Sequence, residues 1–159
     1  ENLMVACKDQ AGENILMNWL SPDKVIQREL RVIEKANQTL EFLGLSHLSG
    51  ELAGNLSGGQ KKLLELGRTM MADAKLILLD EPGAGVNPTL MQKIGDMIID
   101  LNQSRGYTLS LIDHDMQLIE RLCHRVIVLA EGRILQEGSM EEIRNNSKVV
   151  DAYFGSVDS

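Results

Sequence analysis

Residues 76–82 read LILLDEP, four apolar residues closed by Asp80, Glu81 and a proline. A short unbroken apolar run bounded by turn chemistry predicts a strand buried on both faces, the pattern of a parallel sheet. In such sheets ligands gather beyond the carboxyl ends of the strands, where Asp80 and Glu81 stand. One carboxylate there can hold Mg²⁺, usually through water, because Mg²⁺ prefers oxygen ligands and keeps much of its hydration shell. The other can orient or deprotonate a water attacking a phosphate. Taken alone, the same residues also describe an acidic turn facing solvent.

Upstream, residues 55–62 read NLSGGQKK. Ser57 at a helix mouth, followed by Gly58 and Gly59, places a hydroxyl and unpaired backbone donors where the helix dipole favours an anion. A capped helix after a glycine turn gives the same pattern. Downstream, residues 109–116 read LSLIDHDM. His114 follows what reads as a second buried strand, where an imidazole can hydrogen-bond a phosphate. A surface turn is the alternative. Lys61 and Lys62 read as a solvated helix face.

The remaining pattern supplies the frame. Residues 21–44 open with Ser21 as N-cap and Pro22 at the first helical position, and Gly44 marks the stop. Ile26, Leu30, Ile33, Leu40 and Leu43 recur between them at helical spacing. A second helix is expected from Ser57 to about Asp73, burying Leu63, Leu66 and Met70. A third starts at Asn87-Pro88 with Leu90, Ile94, Met97 or Ile98 and Leu101 inward. A strand over 107–112, a helix from Asp115 to about Cys123, and two strands (125–130 and 133–138) around Glu131-Gly132 follow. Ser139 and Glu142 form a capping box, and a last helix covers 147–154. This alternation predicts an α/β fold with a largely parallel sheet.

Bulk properties narrow the function. A net charge of −7 argues against a nucleic-acid partner, whose binders carry a basic excess. No apolar run approaches the roughly 20 residues that span a bilayer, and no secretory leader is visible, so a cytoplasmic protein is expected. Cys7 and Cys123 are too few and too far apart for a disulfide framework or zinc site, and read as small apolar residues.

In this order, NLSGGQ, LILLDEP, GAGVNP and LIDHDM resemble the ATP-binding cassette (ABC) ATPase family, over residues 1 to about 155. The resemblance implies a P-loop NTPase-like fold with a helical subdomain. It makes Leu56, Ser57, Gly58, Gly59 and Gln60 the signature motif, and Gly83 to Asn87 the D-loop, with Gly85 and Asn87 facing nucleotide. It implies Asp80 as the Mg²⁺-associated carboxylate, Glu81 as catalytic base and His114 as the switch histidine. ATP and Mg²⁺ are the implied cofactors. Asp113 stands where many cassettes have glutamate, and Asn87 where aspartate is common in D-loops. The C-terminal stretch from Gly132 is similar to cassettes of branched-chain amino-acid or related amide importers.

The phosphate loop of the family, G-x-x-x-x-G-K-[ST], occurs nowhere in the 159 residues, so the fold is expected to be incomplete. Residues 1–73 are expected to form the helical signature subdomain, and 74–159 the C-terminal part of the ATPase core. Weak or no hydrolysis by the chain alone follows, because the loop supplies most phosphate donors. In ABC dimers the signature faces the nucleotide of the opposite subunit. The alternative reading is therefore a non-catalytic fragment that completes a partner's site in trans. A third class, ABC proteins of DNA repair, fits poorly with a compact acidic chain. Expected partners are a second ABC subunit and transmembrane permease subunits, bound at the cytoplasmic side of the inner membrane. Trp19 either lines the groove for the permease's coupling helix or is buried structurally. A strand at 107–112 without its neighbour leaves an open edge, which favours self-association or a rearranged sheet.

Overall fold

The computed structural model describes residues 1–8 and 19–154, the side chains of 153 and 154 aside. Its regular elements are α1 (Pro22–Leu43), α2 (Gly58–Met71), β1 (Leu76–Asp80), α3 (Pro88–Arg105), β2 (Thr108–Ile112), α4 (Met116–Leu122), β3 (Val126–Ala130), β4 (Arg133–Gly138), α5 (Met140–Arg144) and α6 (Ser147–Phe154). Short 3₁₀ turns lie at Met4–Ala6, before α1, and at Ser46–Leu48 and Ala53–Asn55, between α1 and α2. The part of the expected helical subdomain that falls on 9–18 lies outside the described residues. The chain divides into two compact units, Glu1–Ser110 and Leu111–Ser159. No described helix is long and apolar enough to cross a membrane.

In the first unit, α1 packs on α2. Leu3, Ala36 and Met71 form the buried centre, with Met4, Cys7, Val32, Leu40 and Leu64 against it. Leu43, Met70 and Met71 are fully buried, each contributing about 2 kcal/mol through lost contact with water. Helix α2 approaches α1 closely at Gly67: a Cβ there would lie 2.6 Å from Leu43 Cδ1, 3.0 Å from Leu3 Cδ2 and 3.2 Å from Thr39 Cγ2. Thr39 is buried but satisfied, its hydroxyl donating to the Lys35 carbonyl at 2.8 Å. Gly44 ends α1 in the left-handed region, and Lys93 Nζ donates to the Leu43 carbonyl at 3.2 Å. That cation sits where the α1 dipole is negative.

Three expectations are corrected here. The inward stripe of α1 is Val25, Ala36, Thr39 and Leu43, whereas Ile26, Leu30 and Ile33 are exposed. Small side chains at 36 and 67 allow close helix approach, so the bulkier stripe is left outside. Ser21 occupies the N-cap position but makes no side-chain cap, and only its carbonyl accepts from Lys24 and Val25. Trp19 is 84% exposed, which removes the buried reading.

Strand β1 pairs with β2 in a two-stranded sheet, and Thr108 N–H donates to the Lys75 carbonyl at 2.9 Å. Helix α3 is the crossover that makes this a parallel βαβ arrangement. Full burial of β1 is not what the structure shows. Ile77 is buried, but Leu76 and Leu78 are 54% and 72% exposed. The described chain thus covers only one face of a strand whose composition suits two covers. Nor is β2 a buried strand: its residues alternate between exposed and half-buried.

The second unit is built on the antiparallel hairpin β3–β4. Its two-residue turn has positive φ at both Glu131 (51°) and Gly132 (73°), as the hairpin turns that match strand twist require. An irregularity between the pairs Val128↔Gln136 and Leu129↔Ile134 admits one extra residue in β4. Val128 packs inward with Ile143 of α5 and Val149 of α6, joined by Leu135. On the opposite side, Ile127, Leu129 and Ile134 are exposed. Helix α5 is opened by the expected capping box: Ser139 Oγ accepts the Glu142 N–H at 3.3 Å, and Glu142 accepts the Ser139 N–H at 2.7 Å. The Ser139 N–H, and then the Ser139 hydroxyl donating to Glu142 Oε2 at 3.0 Å, hold the Glu142 carboxyl below its ordinary pKa.

Candidate functional site

Helix α2 starts where Ser57, in extended backbone, turns the chain. Ser57 Oγ accepts the Gln60 N–H at 3.3 Å, and Gln60 Oε1 accepts the Ser57 N–H at 2.8 Å. Lys61 N–H closes onto the Ser57 carbonyl at 2.9 Å. Of the donors at this helix end, those of Gly58 and Gly59 have no hydrogen-bond partner among the described residues. They point along the positive end of the dipole, the arrangement that binds anions. Nothing lies within 4 Å of a Cβ built on Gly58, so its side is open to a ligand. Gly59 differs, because a Cβ there would overlap Leu90 Cδ2 of α3.

Around this turn, Leu56 is half-buried and closes the preceding 3₁₀ turn through its N–H to the Ala53 carbonyl. Lys61, exposed as expected of a solvated face, also donates from Nζ to the Gly54 carbonyl at 3.1 Å. Lys62 lies 3.6 Å from Glu65 one turn on.

Asp80 ends β1 and lines a cleft of about 170 Å³ with Lys62, Glu65 and Thr69 of α2 and with Pro82. The fold therefore brings Asp80 to the flank of the helix that Ser57 opens. A larger groove, about 510 Å³, lies away from these residues on the outer face of α1. Glu81 has φ +43°, in the left-handed region, where a non-glycine residue costs on the order of 1 kcal/mol. Among the described residues no three His, Cys, Asp or Glu groups converge to hold a metal ion. Asp80 and Glu81, at the carboxyl end of β1, are the adjacent carboxylates at this strand end.

The turn after Glu81 is closed by Ala84 N–H to the Glu81 carbonyl (3.0 Å) and Val86 N–H to the Gly83 carbonyl (3.2 Å). Gly85 sits at φ +75°, which a side chain would strain. Asn87 is the N-cap of α3, its Oδ1 accepting the Leu90 N–H at 2.9 Å.

His114 belongs to the second unit, just after β2. Its ring is largely exposed, with Nδ1 3.8 Å from Asp113 Oδ1. Asp113 is the organiser of this turn: its Oδ1 accepts the N–H groups of His114 (2.8 Å) and Asp115 (3.0 Å). Asp115 in turn caps α4 through Gln117 and Leu118. Sequence reasoning missed the contact of Leu90 with Gly59 and of Met91 with Gly83, since residues 31 and 8 positions apart share no periodicity.

With its parallel strand pair and flanking helices, the chain has the α/β architecture of solved ATP-binding cassettes, a P-loop NTPase fold. The chain belongs to the ABC transporter family, whose model matches residues 6–84. It is similar to the probable branched-chain amino acid transport ATP-binding protein LivG of Archaeoglobus fulgidus, at 40% identity over 163 residues, covering all of this chain and 60% of that protein. Against the high-affinity branched-chain amino acid transport ATP-binding protein LivG of Salmonella typhimurium, identity is 34%, covering 98% of this chain and 61% of the other. The chain thus spans about 60% of the length of the curated relatives it matches. Among solved structures, a nucleotide-free ATP-binding cassette from an ABC transporter superposes with a TM-score of 0.74 at 36% identity, covering 96% of this chain and 61% of that one. An ATP-binding cassette in its ADP conformation gives 0.70 at 39%, covering 78% and 50%.

Proposed function

We propose that this sequence serves the ATP-binding, ATP-hydrolysing subunit of a branched-chain amino-acid importer. The observation that carries the reading is the pair of open N–H donors at Gly58 and Gly59, held ready by a capping box that leaves them unused. Mg-ATP, when bound, supplies the phosphoanhydride whose hydrolysis drives transport. Ser57, Gly58 and Gly59 would donate to phosphate oxygens of the nucleotide held by the opposite subunit, with Leu56 and Gln60 shaping the turn. By the resemblance, Asp80 would hold Mg²⁺ through water and Glu81 would take the proton of the attacking water, while His114 would serve as the switch histidine. Gly85 and Asn87 present the D-loop, Asn87 from its place as the α3 cap. Residues 1–73 act as the signature subdomain and 74–159 as part of the ATPase core.

A second reading is favoured by the open faces at Leu76 and Leu78 and at Ile127, Leu129 and Ile134. In it, the chain is a non-catalytic fragment that docks on a complete cassette and supplies its signature in trans. Titration separates the two. Micromolar Mg-ATP binding by this chain alone supports the first. Altered turnover of a complete branched-chain cassette, with no binding alone, supports the second, and neither effect overturns both. The same exposed apolar surface leads to expected self-association in dilute buffer. Light scattering checks it, and a monodisperse monomer counts against it.

The permease is the second proposed partner, at the cytoplasmic face of the inner membrane. Ile26, Leu30 and Ile33 form an exposed stripe on α1, and the groove beside it carries Glu34 and Glu41 with no basic residue in its lining. An amphipathic permease helix with basic flanks fits that chemistry. Changing Leu30 and Ile33 to aspartate is expected to abolish co-purification with the permease while leaving stability within about 0.5 kcal/mol, as for other surface sites. Unchanged co-purification would exclude this face.

A further inference from the structure

The two glycines of the Ser57–Gln60 turn have different surroundings. Gly58 faces open space, whereas the side of Gly59 that lacks a Cβ is filled by Leu90, with Leu90 Cγ 3.6 Å from the Cβ position. One residue along, Met91 fills the corresponding space at Gly83, with its Sδ and Cε each 2.5 Å from that position. Leu90 and Met91 are neighbours in the first turn of α3, and both are half-buried rather than core. The turn they approach fixes their backbone: Asn87 Oδ1 accepts the Leu90 N–H at 2.9 Å, and the Asn87 carbonyl accepts the Met91 N–H at 3.0 Å.

From this we infer that Leu90, seated on Gly59, is a positioning residue that locks the Ser57–Gln60 turn to the Gly83–Asn87 turn. Met91 completes the lock at Gly83. The division of labour follows: Gly58 is open so that a ligand can reach its N–H, and Gly59 is bare so that Leu90 can reach it. A knob in a glycine socket has one seated arrangement, since packed contacts are bistable rather than continuously deformable. Displacing the knob therefore moves both turns together. The functional consequence rests on reading residues 56–60 as the signature, but the mechanical coupling does not.

The test uses the ¹⁵N-labelled chain and a size-swap cycle. Gly59→Ala pushes Leu90 out and is expected to shift the amide signals of Gly83 and Gly85. Adding Leu90→Ala makes room for the new methyl and is expected to return both signals to their original positions. Shifts confined to residues 56–62 in the single variant, or no return in the double variant, overturn the inference. Assayed with a complete cassette, Gly59→Ala is expected to lower kcat about tenfold with KM little changed, a coupling of ordinary size, and the double variant to recover it. If the unaltered chain leaves cassette turnover untouched, the nucleotide reading fails while the amide shifts still decide the coupling.

Discussion

Replacing Gly67 with leucine is expected to lower the stability of the first unit by about 3 kcal/mol, the upper range for overpacking a tight core. Opposing effects meet at this position. In an exposed helix interior, removing a glycine gains about 1 kcal/mol of helix propensity. Here even a methyl group would meet Leu43, Leu3 and Thr39 at 2.6 to 3.2 Å. Leu43 is fully buried, and close-packed interiors leave a side chain little room to retreat. Overpacking therefore wins, and Gly67→Ala is expected to cost about 1 kcal/mol net while leucine forces α1 and α2 apart. Urea unfolding followed by far-ultraviolet circular dichroism measures it. Gly54→Ala is the control, because nothing lies within 4 Å of its Cβ position. Equal midpoints for Gly67→Leu and the unaltered chain would mean that the α1–α2 contact is not the core of this unit.

The same contact explains what the sequence revealed and what it hid. Local chemistry was legible: Ser139 with Glu142, Asn87 with Pro88, and Gly44 and Gly106 each mark an end that the structure keeps. Those signals act over a few residues and need no tertiary information. The face of α1 was not legible. Periodicity selects Ile26, Leu30 and Ile33, yet the partner helix approaches along Ala36 and Thr39 because Gly67 lets it come close. Likewise, LILLD announces a strand made for two covers, but composition does not say which covers the described chain contains. Leu76 and Leu78 remain in water as a result. For the candidate site, the order of SGGQ, DE and DH was visible, as was the helix that Ser57 opens. The separate surroundings of Gly58 and Gly59 were not, since they depend on Leu90, which the pattern assigned to the interior of α3.

Gly58→Asp is the substitution that separates stability from function most sharply. An aspartate in the first turn of α2 places negative charge at the positive end of the helix dipole, worth about 0.3–1 kcal/mol in favour of the fold. The site can accept it, since the Cβ position at Gly58 is clear of other atoms. A destabilised variant is thus not the expected result. The same charge would stand where the open N–H groups of Gly58 and Gly59 invite a phosphate, and would both occupy the donors and repel the ligand. Loss of one preorganised donor to a developing oxyanion costs about 100- to 1000-fold in rate, and like-charge repulsion adds to that. The expected outcome is an unchanged or slightly raised melting temperature with at least about 100-fold loss of the chain's effect on Mg-ATP turnover in a cassette assembly. Gly58→Ala keeps both N–H donors and adds no charge, so it should retain most of the effect. If Gly58→Asp behaved like Gly58→Ala in that assay, the helix mouth would be a structural cap and nothing more.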